Sequence, residues 1–406
     1  MARETSAKAP HEPTQRIEPA LLEFAPPRVA DLIAEISAAS AGLTGALHPR
    51  AAASLAQLVR IMNAYYSNLI EGHNTRPTEI VRALAGDFAA DQSRRNLQEE
   101  AAAHVRVQAR IDELAADGTL PNPISGEFIR WLHAEFYYST PRAMLIVRGR
   151  GGEYEMEPGQ YRATVAQDVA VGRHQPPSGP YVADFMRYFS ERYRLNDLGM
   201  AMRIMSMPAA HHRFNYIHPF PDGNGRVSRL MSHAMAHASG IGAHGLWSIS
   251  RGLARGLGDR TQYKRMMDFA DSPRENDLDV RGNLSLRALI DFTAWFLEVC
   301  LDQLRFMGEL FGPDSLAKRL RTWAERDDRF KLEVGRLLEE AAIRGEFDRG
   351  ETARITGLPE RTARRVLNEA CAAGLLASDT PKGPVSLRFP PGDAEAMFPR
   401  LFQTAE

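Results

Sequence analysis

The sequence predicts a mainly α fold with one short β insertion and a smaller C-terminal domain of mixed structure. Apolar residues recur at three- and four-residue steps through most of the chain, as on one face of an amphipathic helix. Gly and Pro concentrate in one internal stretch, residues 149–180. After residue 311, helical patterns give way to two short strand-like runs around a turn.

Length and composition set the first limits. A chain of 406 residues is too long for a single ordinary hydrophobic core, and this length predicts two or three domains. Hydrophobic content of 44% and charged content of 25% are typical of soluble globular proteins. The formal net charge of −1 gives no overall attraction to nucleic acid or membrane, so a polyanion site requires local clustering of Lys and Arg. None of the apolar runs in the sequence has the pattern of a membrane span or a secretory leader, so a cytoplasmic location is expected.

The N-terminal part divides into two segments. Residues 1–28 are polar, contain prolines and lack periodicity, which predicts a flexible segment. Residues 29–125 form a predicted helical region. Its clearest helix carries one apolar stripe and stops at Gly72 and Pro77. The stripe consists of Leu55, Leu58, Ile61, Met62, Tyr65 and Leu69.

The remaining chain predicts a helical core over 126–310 and a second domain over 311–406. The β-like run "ATVAQDVAVG" predicts a hairpin or flap between helices of the core. In the second domain, "GETARITGLPERTARRVLNEACAAGLL" contains a helix, a Gly-Leu-Pro turn and another helix. The runs "LLASD" and "VSLRFP" then flank the turn "TPKGP". Helix-turn-helix followed by a hairpin predicts a winged helix.

The stretch "HPFPDGNGRVSR" concentrates groups that suit phosphate. Gly223, Asn224 and Gly225 permit close approach of the backbone just before a helix, where free N–H groups favour anions. Arg226 and Arg229 lie one turn apart on that helix, and guanidinium groups match phosphate oxygens. A glycine turn with two solvated arginines is the simpler reading of any one feature. Their coincidence favours a phosphate site.

Two further groups of this stretch add chemistry. Asp222 offers a hard oxygen ligand of the kind Mg²⁺ requires. His218 can take up a proton near neutral pH. The nonapeptide HPFPDGNGR resembles the signature of the Fic family, HxFx[D/E]GNGR, at every fixed position. The segments "PGQYRATVAQDVAVGRHQPP" and "HHRFNYIHPF" resemble the flap of that family and its approach to the motif, so the resemblance covers roughly residues 126–271.

The resemblance implies an activity, because Fic proteins typically transfer AMP from Mg-ATP to a hydroxyl side chain of a target protein. His218 would be the general base and Asp222 would bind Mg²⁺. The residues implied to hold phosphates are Gly223, Asn224, Gly225 and Arg226, with Arg229 on the γ-phosphate. A flap would dock the target in extended form beside the site. Its residues are Val169, Ala170, Val171, Gly172, Arg173 and His174.

The hexapeptide "SNLIEG", Ser67 to Gly72, resembles the family's inhibitory motif [S/T]xxxE[G/N]. By that resemblance Glu71 would pair with Arg229 and exclude the γ-phosphate. The alternative is an ordinary surface residue near a helix end. Resemblance to some members also leaves open that Glu71 supports removal of AMP. Family members with this brake are often dimers, and the target hydroxyl (Ser, Thr or Tyr) could belong to the protein itself.

The C-terminal domain raises a second reading of the whole chain. Arg361, Arg364 and Arg365 fall on the second helix of the helix-turn-helix, where they would suit phosphate contacts or groove reading. Glu360 and Glu369 are interleaved, and winged helices also bind proteins. The competing function is a DNA-binding transcriptional regulator whose Fic core only senses nucleotide.

Several other side chains favour packing over chemistry. His233 and His237 are four residues apart on a helix but lack the Glu of an HExxH metal motif. His211 and His212 precede the motif, and structural roles are expected for them. Tyr263 could face a nucleotide base or pack in the core.

Overall fold

The computed structural model describes residues 12–276, 279 and 282–402, and the mainly α fold class is confirmed. The helices, in chain order, are α1 Pro27–Gly45, α2 Pro49–Ile70, α3 Pro77–Leu84, α4 Gln92–Ala116, α5 Gly126–Tyr137, α6 Gly179–Arg192, α7 Met200–Ile217, α8 Asn224–Ala238, α9 Ile249–Arg255, α10 Gln262–Ala270, α11 Leu286–Phe311, α12 Pro313–Arg326, α13 Leu332–Arg344, α14 Thr352–Thr356, α15 Glu360–Ala372, α16 Ala394–Met397 and α17 Pro399–Phe402. The strands are β1 Ile146–Gly149, β2 Gly152–Glu155, β3 Glu346–Phe347, β4 Leu376–Ala377 and β5 Val385–Leu387.

The chain forms two compact units, each assembled from separate stretches of sequence. The first unit contains Met1–Ile33, Asp117–Ser239 and Thr261–Glu298. The second contains Ala34–Ala116, Gly240–Arg260 and Val299–Glu406. In the described part of the chain, none of the helices is both long and apolar enough to cross a membrane.

The central helix of the first unit is α7, which packs against α6 and α8. It is buried on all sides over most of its length, including the polar residues His211, His212 and Arg213. Each of these polar side chains is hydrogen-bonded, as burial in a core requires. The helix therefore combines an apolar packing surface with a fixed polar network.

Residues 12–26, which the sequence places in a flexible segment, are packed against the first unit. Ile17 is fully buried, and the Glu18 carboxylate accepts hydrogen bonds from Tyr188 at 2.6 Å and Arg192 at 2.5 Å. The carbonyl of Pro19 accepts from Arg213 Nη2 at 2.9 Å. The polarity of this segment thus reflects specific hydrogen bonding to distant helices. Residues 1–11 lie outside the described residues.

The predicted β-hairpin exists, but it is not formed by the run that predicted it. Strands β1 and β2 pair in antiparallel register, Ile146 opposite Glu155, upstream of "ATVAQDVAVG". That run contains a 3₁₀ turn and one isolated bridge, between Val171 and His174. The Asp168 carboxylate accepts hydrogen bonds from Ser178 Oγ at 2.8 Å and Gly179 N–H at 2.7 Å. These side-chain hydrogen bonds fix the backbone in a shape that competes with strand pairing.

The second unit contains the predicted helix-turn-helix and its sheet. Helices α14 and α15 are joined through Gly357, whose φ of 73° suits glycine, and the strands pair in the order β3-β5-β4. Helix α2 belongs to the same unit. Ser54 Oγ accepts from Phe389 N–H at 2.9 Å, and Arg50 pairs with Asp379 at 3.0 Å. Helix α2 and the C-terminal sheet therefore share one unit, although the sequence analysis assigns them to separate domains.

Candidate functional site

The loop between α7 and α8 begins with His218 in a left-handed conformation. Its φ of 50° and ψ of 60° end α7, and its N–H donates to the Phe214 carbonyl at 2.9 Å. Non-glycine residues adopt this conformation rarely, and each case requires support from its surroundings. Here Arg162 supplies the support, because its Nε donates to the His218 carbonyl at 2.9 Å. The backbone of the proposed base is therefore fixed by a buried guanidinium.

The Asn224 side chain closes the loop. Its Oδ1 accepts from Phe220 N–H at 2.9 Å, and its Nδ2 donates to the Phe220 carbonyl at 2.8 Å. Phe220 is fully buried, and its ring stacks on His133 with centroids 4.0 Å apart. Asn224 thus holds the loop through its side chain, which leaves its backbone N–H as the group available to an anion.

The N-terminus of α8 has the features of an anion site. Gly223 is the N-cap with φ of 76°, and no side chain caps the helix. First-turn N–H groups of a helix lack intrahelical partners and concentrate positive potential. A Cβ on Gly223 would lie 2.7 Å from Tyr137 Oη, so only glycine allows this close approach. The structure therefore places the predicted phosphate cradle at an uncapped helix end.

Asp222 lies beside this helix end with its carboxylate about half exposed. Tyr137 Oη donates to Oδ2 at 3.1 Å, and Arg226 Nη1 lies 3.9 Å from the same oxygen. Among the described residues no hydrogen bond reaches Oδ1 of Asp222. A half-exposed carboxylate with an open oxygen fits the hard ligand set of Mg²⁺.

The environment of His218 keeps its imidazole neutral. Burial, followed by the nearby Arg162 cation, lowers the pKa of His218 from 6.5 to about 4. At pH 7 the ring is therefore unprotonated and can accept a proton. Burial also lowers the pKa of Arg162, which donates to the Pro177 carbonyl at 3.0 Å.

Two residues of α5 contribute to the site although sequence reasoning did not select them. Gly159 N–H donates to His133 Nδ1 at 2.8 Å, so Nε2 carries the hydrogen and donates to the Asp222 carbonyl at 3.2 Å. Burial lowers the pKa of His133 to about 4. Tyr137, one turn later, contacts both Asp222 and Gly223. His133 and Tyr137 are four residues apart in the apolar segment "GEFIRWLHAEFYYS", and this spacing places them on one face of a helix. That spacing is the feature of the sequence that could have indicated a shared role.

The predicted flap residues form an exposed turn. Val171 and His174 exchange N–H···O bonds of 3.1 and 3.0 Å around Gly172, whose φ is 59°. His174 anchors the turn through Nε2 to the Tyr216 carbonyl at 2.7 Å. Residues 170–173 are exposed, whereas Val169 is half-buried. Docking of a target on this turn remains a prediction.

The remaining candidates separate into packing residues and inhibitory-motif residues. His211 bonds Ser232 at 2.9 Å and Tyr263 at 2.8 Å, all three in the buried core of the first unit. His212 lies 3.1 Å from Asp271, and the rings of His233 and His237 pack edge-on. Arg229 is buried on α8. In the second unit, α2 ends at Ile70, Glu71 is its exposed C-cap, Gly72 follows with φ of 88°, and Ser67 is buried.

The first unit thus brings together a neutral histidine, an uncapped helix N-terminus and an adjacent carboxylate, a combination that suits phosphate chemistry. Residues 123–236 match the model of the Fic/DOC family. This stretch, which includes the loop between α7 and α8, is therefore similar to the Fic/DOC family.

Comparison with individual proteins agrees with this assignment. A protein named Protein adenylyltransferase Fic from Nematostella vectensis is 33% identical over 91 residues, 22% of this chain and 21% of that protein. The matched region thus spans about a fifth of that relative. A solved Fic family protein from Desulfovibrio desulfuricans G20 has a TM-score of 0.52 at 18% identity and covers 90% of this chain and 98% of that one. A Fic domain containing signaling protein from Bacteroides thetaiotaomicron VPI-5482 has a TM-score of 0.52 at 20% identity, over 68% and 96% of the two chains. These two likenesses concern the fold.

Proposed function

We propose that the protein is an adenylyltransferase that transfers AMP from Mg-ATP to a Ser, Thr or Tyr hydroxyl of a target protein. The observation that supports it best is that one loop holds both halves of the chemistry. Neutral His218 begins the loop, and the uncapped N-terminus of α8 ends it. A proton acceptor for a hydroxyl therefore lies close in the chain to a cradle for phosphate oxygens.

In the proposed reaction His218 takes the proton of the target hydroxyl. The hydroxyl oxygen forms a bond to the α-phosphorus as the bond from that phosphorus to the α–β bridging oxygen breaks. Pyrophosphate leaves with the electron pair. The backbone N–H groups of 223–226 and the Arg226 and Arg229 guanidinium groups would stabilise charge on the phosphate oxygens.

We propose that Asp222 holds the Mg²⁺ of the nucleotide. The bound cation would neutralise phosphate charge. The chain's own contribution is to hold the carboxylate at the helix N-terminus, through Tyr137 on its side chain and His133 on its backbone carbonyl. The exposed turn at 170–173 would hold a target segment in extended form beside the loop.

We propose further that Glu71 limits the activity by competing with the γ-phosphate for Arg229. One guanidinium cannot serve a carboxylate and a phosphate at once. Helix α2 is firmly fixed within its unit, because Arg60 pairs with Asp112 at 2.7 Å and Asn63 bonds Gln108 at 2.5 Å. Its last residues therefore belong to a rigid element. Removal of AMP, with Glu71 orienting a water, is a second activity that the motif allows.

The test is self-labelling of the wild-type chain and of Glu71→Gly with ATP labelled at the α- or the γ-phosphate. The proposal expects α-label on Glu71→Gly, little on wild type, and none on His218→Ala/Glu71→Gly. Glu71→Gln is the matched variant, since it keeps the shape and removes the charge, and it should also release the activity. Label from the γ-phosphate alone would identify a kinase instead. A wild-type rate equal to that of Glu71→Gly would refute the brake.

A DNA-binding regulator is the second candidate. The arginines Arg361, Arg364 and Arg365 are exposed on α15, and none has an ion pair among the described residues. Arg344 and Arg354 nearby are instead paired with Glu351. Unpaired exposed arginines on this helix suit phosphate contacts. Filter binding of random duplex DNA at low and moderate salt would test this function, because contacts to DNA phosphates weaken steeply with salt.

A further inference from the structure

The acidic and basic groups of the site form only a long ion pair, whose atoms are too far apart for a direct hydrogen bond. Asp222 Oδ2 and Arg226 Nη1 are 3.9 Å apart, whereas charge-assisted hydrogen bonds are about 2.7–2.9 Å long. A direct pair would commit each group to the other. The carboxylate would then be a poorer cation ligand and the guanidinium a poorer phosphate ligand.

The Tyr137 hydroxyl lies between these two groups. It donates to Asp222 Oδ2 at 3.1 Å and accepts from Arg226 Nη1 at 3.3 Å, so one hydroxyl contacts both groups. The ring is 3% exposed, and it packs against His133 with centroids 4.8 Å apart. It also lies so close to Gly223 that no Cβ fits there. The hydroxyl is thus held in place by packing on several sides.

We propose that Tyr137 is a positioning residue that keeps Asp222 and Arg226 apart, so that the carboxylate serves a cation and the guanidinium serves phosphate. This inference rests on the proposed function, since it concerns the same Mg-nucleotide site. A phenylalanine keeps the ring but can neither donate to the carboxylate nor accept from the guanidinium. In Tyr137→Phe, Asp222 and Arg226 close to a direct pair and each neutralises the other.

The test measures ATP binding by calorimetry, with and without Mg²⁺, in a His218→Ala/Glu71→Gly parent, which cannot turn over and lacks the proposed competitor of the γ-phosphate. Tyr137→Phe should weaken ATP binding by about tenfold, the size of one ion-pair or hydrogen-bond contribution, in both conditions. Adding Asp222→Asn to Tyr137→Phe removes the carboxylate charge that would pair with Arg226. Binding of Mg-free ATP should then recover to within about twofold of the parent, whereas added Mg²⁺ should no longer strengthen binding, because its carboxylate ligand is gone. Tyr138→Phe is the matched control. Tyr138 follows Tyr137 in the sequence and is 84% exposed, so this variant should leave binding unchanged.

Each other outcome overturns the inference. If Tyr137→Phe binds ATP as tightly as the parent, the hydroxyl is not needed to keep Asp222 and Arg226 apart. Weakened binding that Asp222→Asn does not rescue shows that Tyr137 acts through general packing alone. Absence of ATP binding by the His218→Ala/Glu71→Gly parent, checked against Glu71→Gly, would instead refute the proposed function and the role of Tyr137 with it.

Discussion

The buried histidine His211 should make the stability of this protein depend on pH well above the range where carboxylates titrate. Its ring is fully buried, and burial lowers its pKa from 6.5 to about 3. The unfolded chain therefore binds a proton that the folded chain excludes. Stability from this residue is complete above pH 6.5 and is lost as the pH falls from 6.5 toward 3.

The size of the effect follows from proton linkage. At pH 5.5 an unfolded imidazole of ordinary pKa is about 90% protonated, while the folded ring remains neutral. Between pH 7.5 and 5.5 the wild-type chain should therefore lose about 1.4 kcal/mol on account of His211 alone. His211→Gln removes this proton site, so its stability should fall by that much less over the same interval.

Urea unfolding at the two pH values measures the difference directly. Tyr263→Phe is the control, because it removes the hydroxyl that contacts Nε2 but keeps the imidazole, and should retain the full pH dependence. Equal losses for wild type and His211→Gln would refute the reasoning, whatever the absolute stability of the variant.

Three other predictions concern the loop. Gly223→Ala should lower the free energy of unfolding, measured in urea, by about 2–3 kcal/mol, because φ is 76° and the new Cβ would lie 2.7 Å from Tyr137. Gly199→Ala is the control, because a Cβ there meets nothing within 4 Å, and it should cost less than about 1 kcal/mol. Asn224→Ala should cost about 2–3 kcal/mol by the same measurement, since it leaves a buried N–H and carbonyl of Phe220 unpaired, and a loss below 0.5 kcal/mol would contradict the clamp. Self-labelling by Glu71→Gly should fall less than twofold from pH 7.5 to 5.5, because the pKa of His218 is about 4; a base of ordinary pKa would lose about tenfold.

Helical periodicity and short motifs were sufficient for most of the fold. The apolar stripe of α2, the helices around the motif and the helix-turn-helix all depend on local sequence, and local sequence predicts them. The hairpin was predicted at the wrong place, because residues 163–172 have a composition that favours strands. In the structure the Asp168 carboxylate instead accepts hydrogen bonds from Ser178 and Gly179, and the sequence does not reveal these contacts. The N-terminal segment failed for a related reason. The partners of Glu18 are Tyr188 and Arg192, some 170 residues away, so polarity there indicated hydrogen bonding and not solvation.

The candidate site shows the same limit. The motif names His218, Asp222 and the glycines, because their spacing along the chain is fixed. It does not reveal that Asn224 acts through its side chain on Phe220, nor that Tyr137 contacts Asp222 from 85 residues upstream. Such contacts depend on which face of α5 meets the loop, and periodicity alone does not fix that pairing.

The interleaving of the two units along the chain has a practical consequence for anyone who wishes to express the family-matched part alone. A fragment limited to the family match, 123–236, would lack the stretches 12–33 and 261–298 of its own unit. The buried Arg213 guanidinium would then lose the carbonyls of Pro19 and Ala270, and an unpaired buried charge is costly. Such a fragment should be insoluble or unfolded, and ribosomal synthesis must reach α11 before the first unit can close around its central helix.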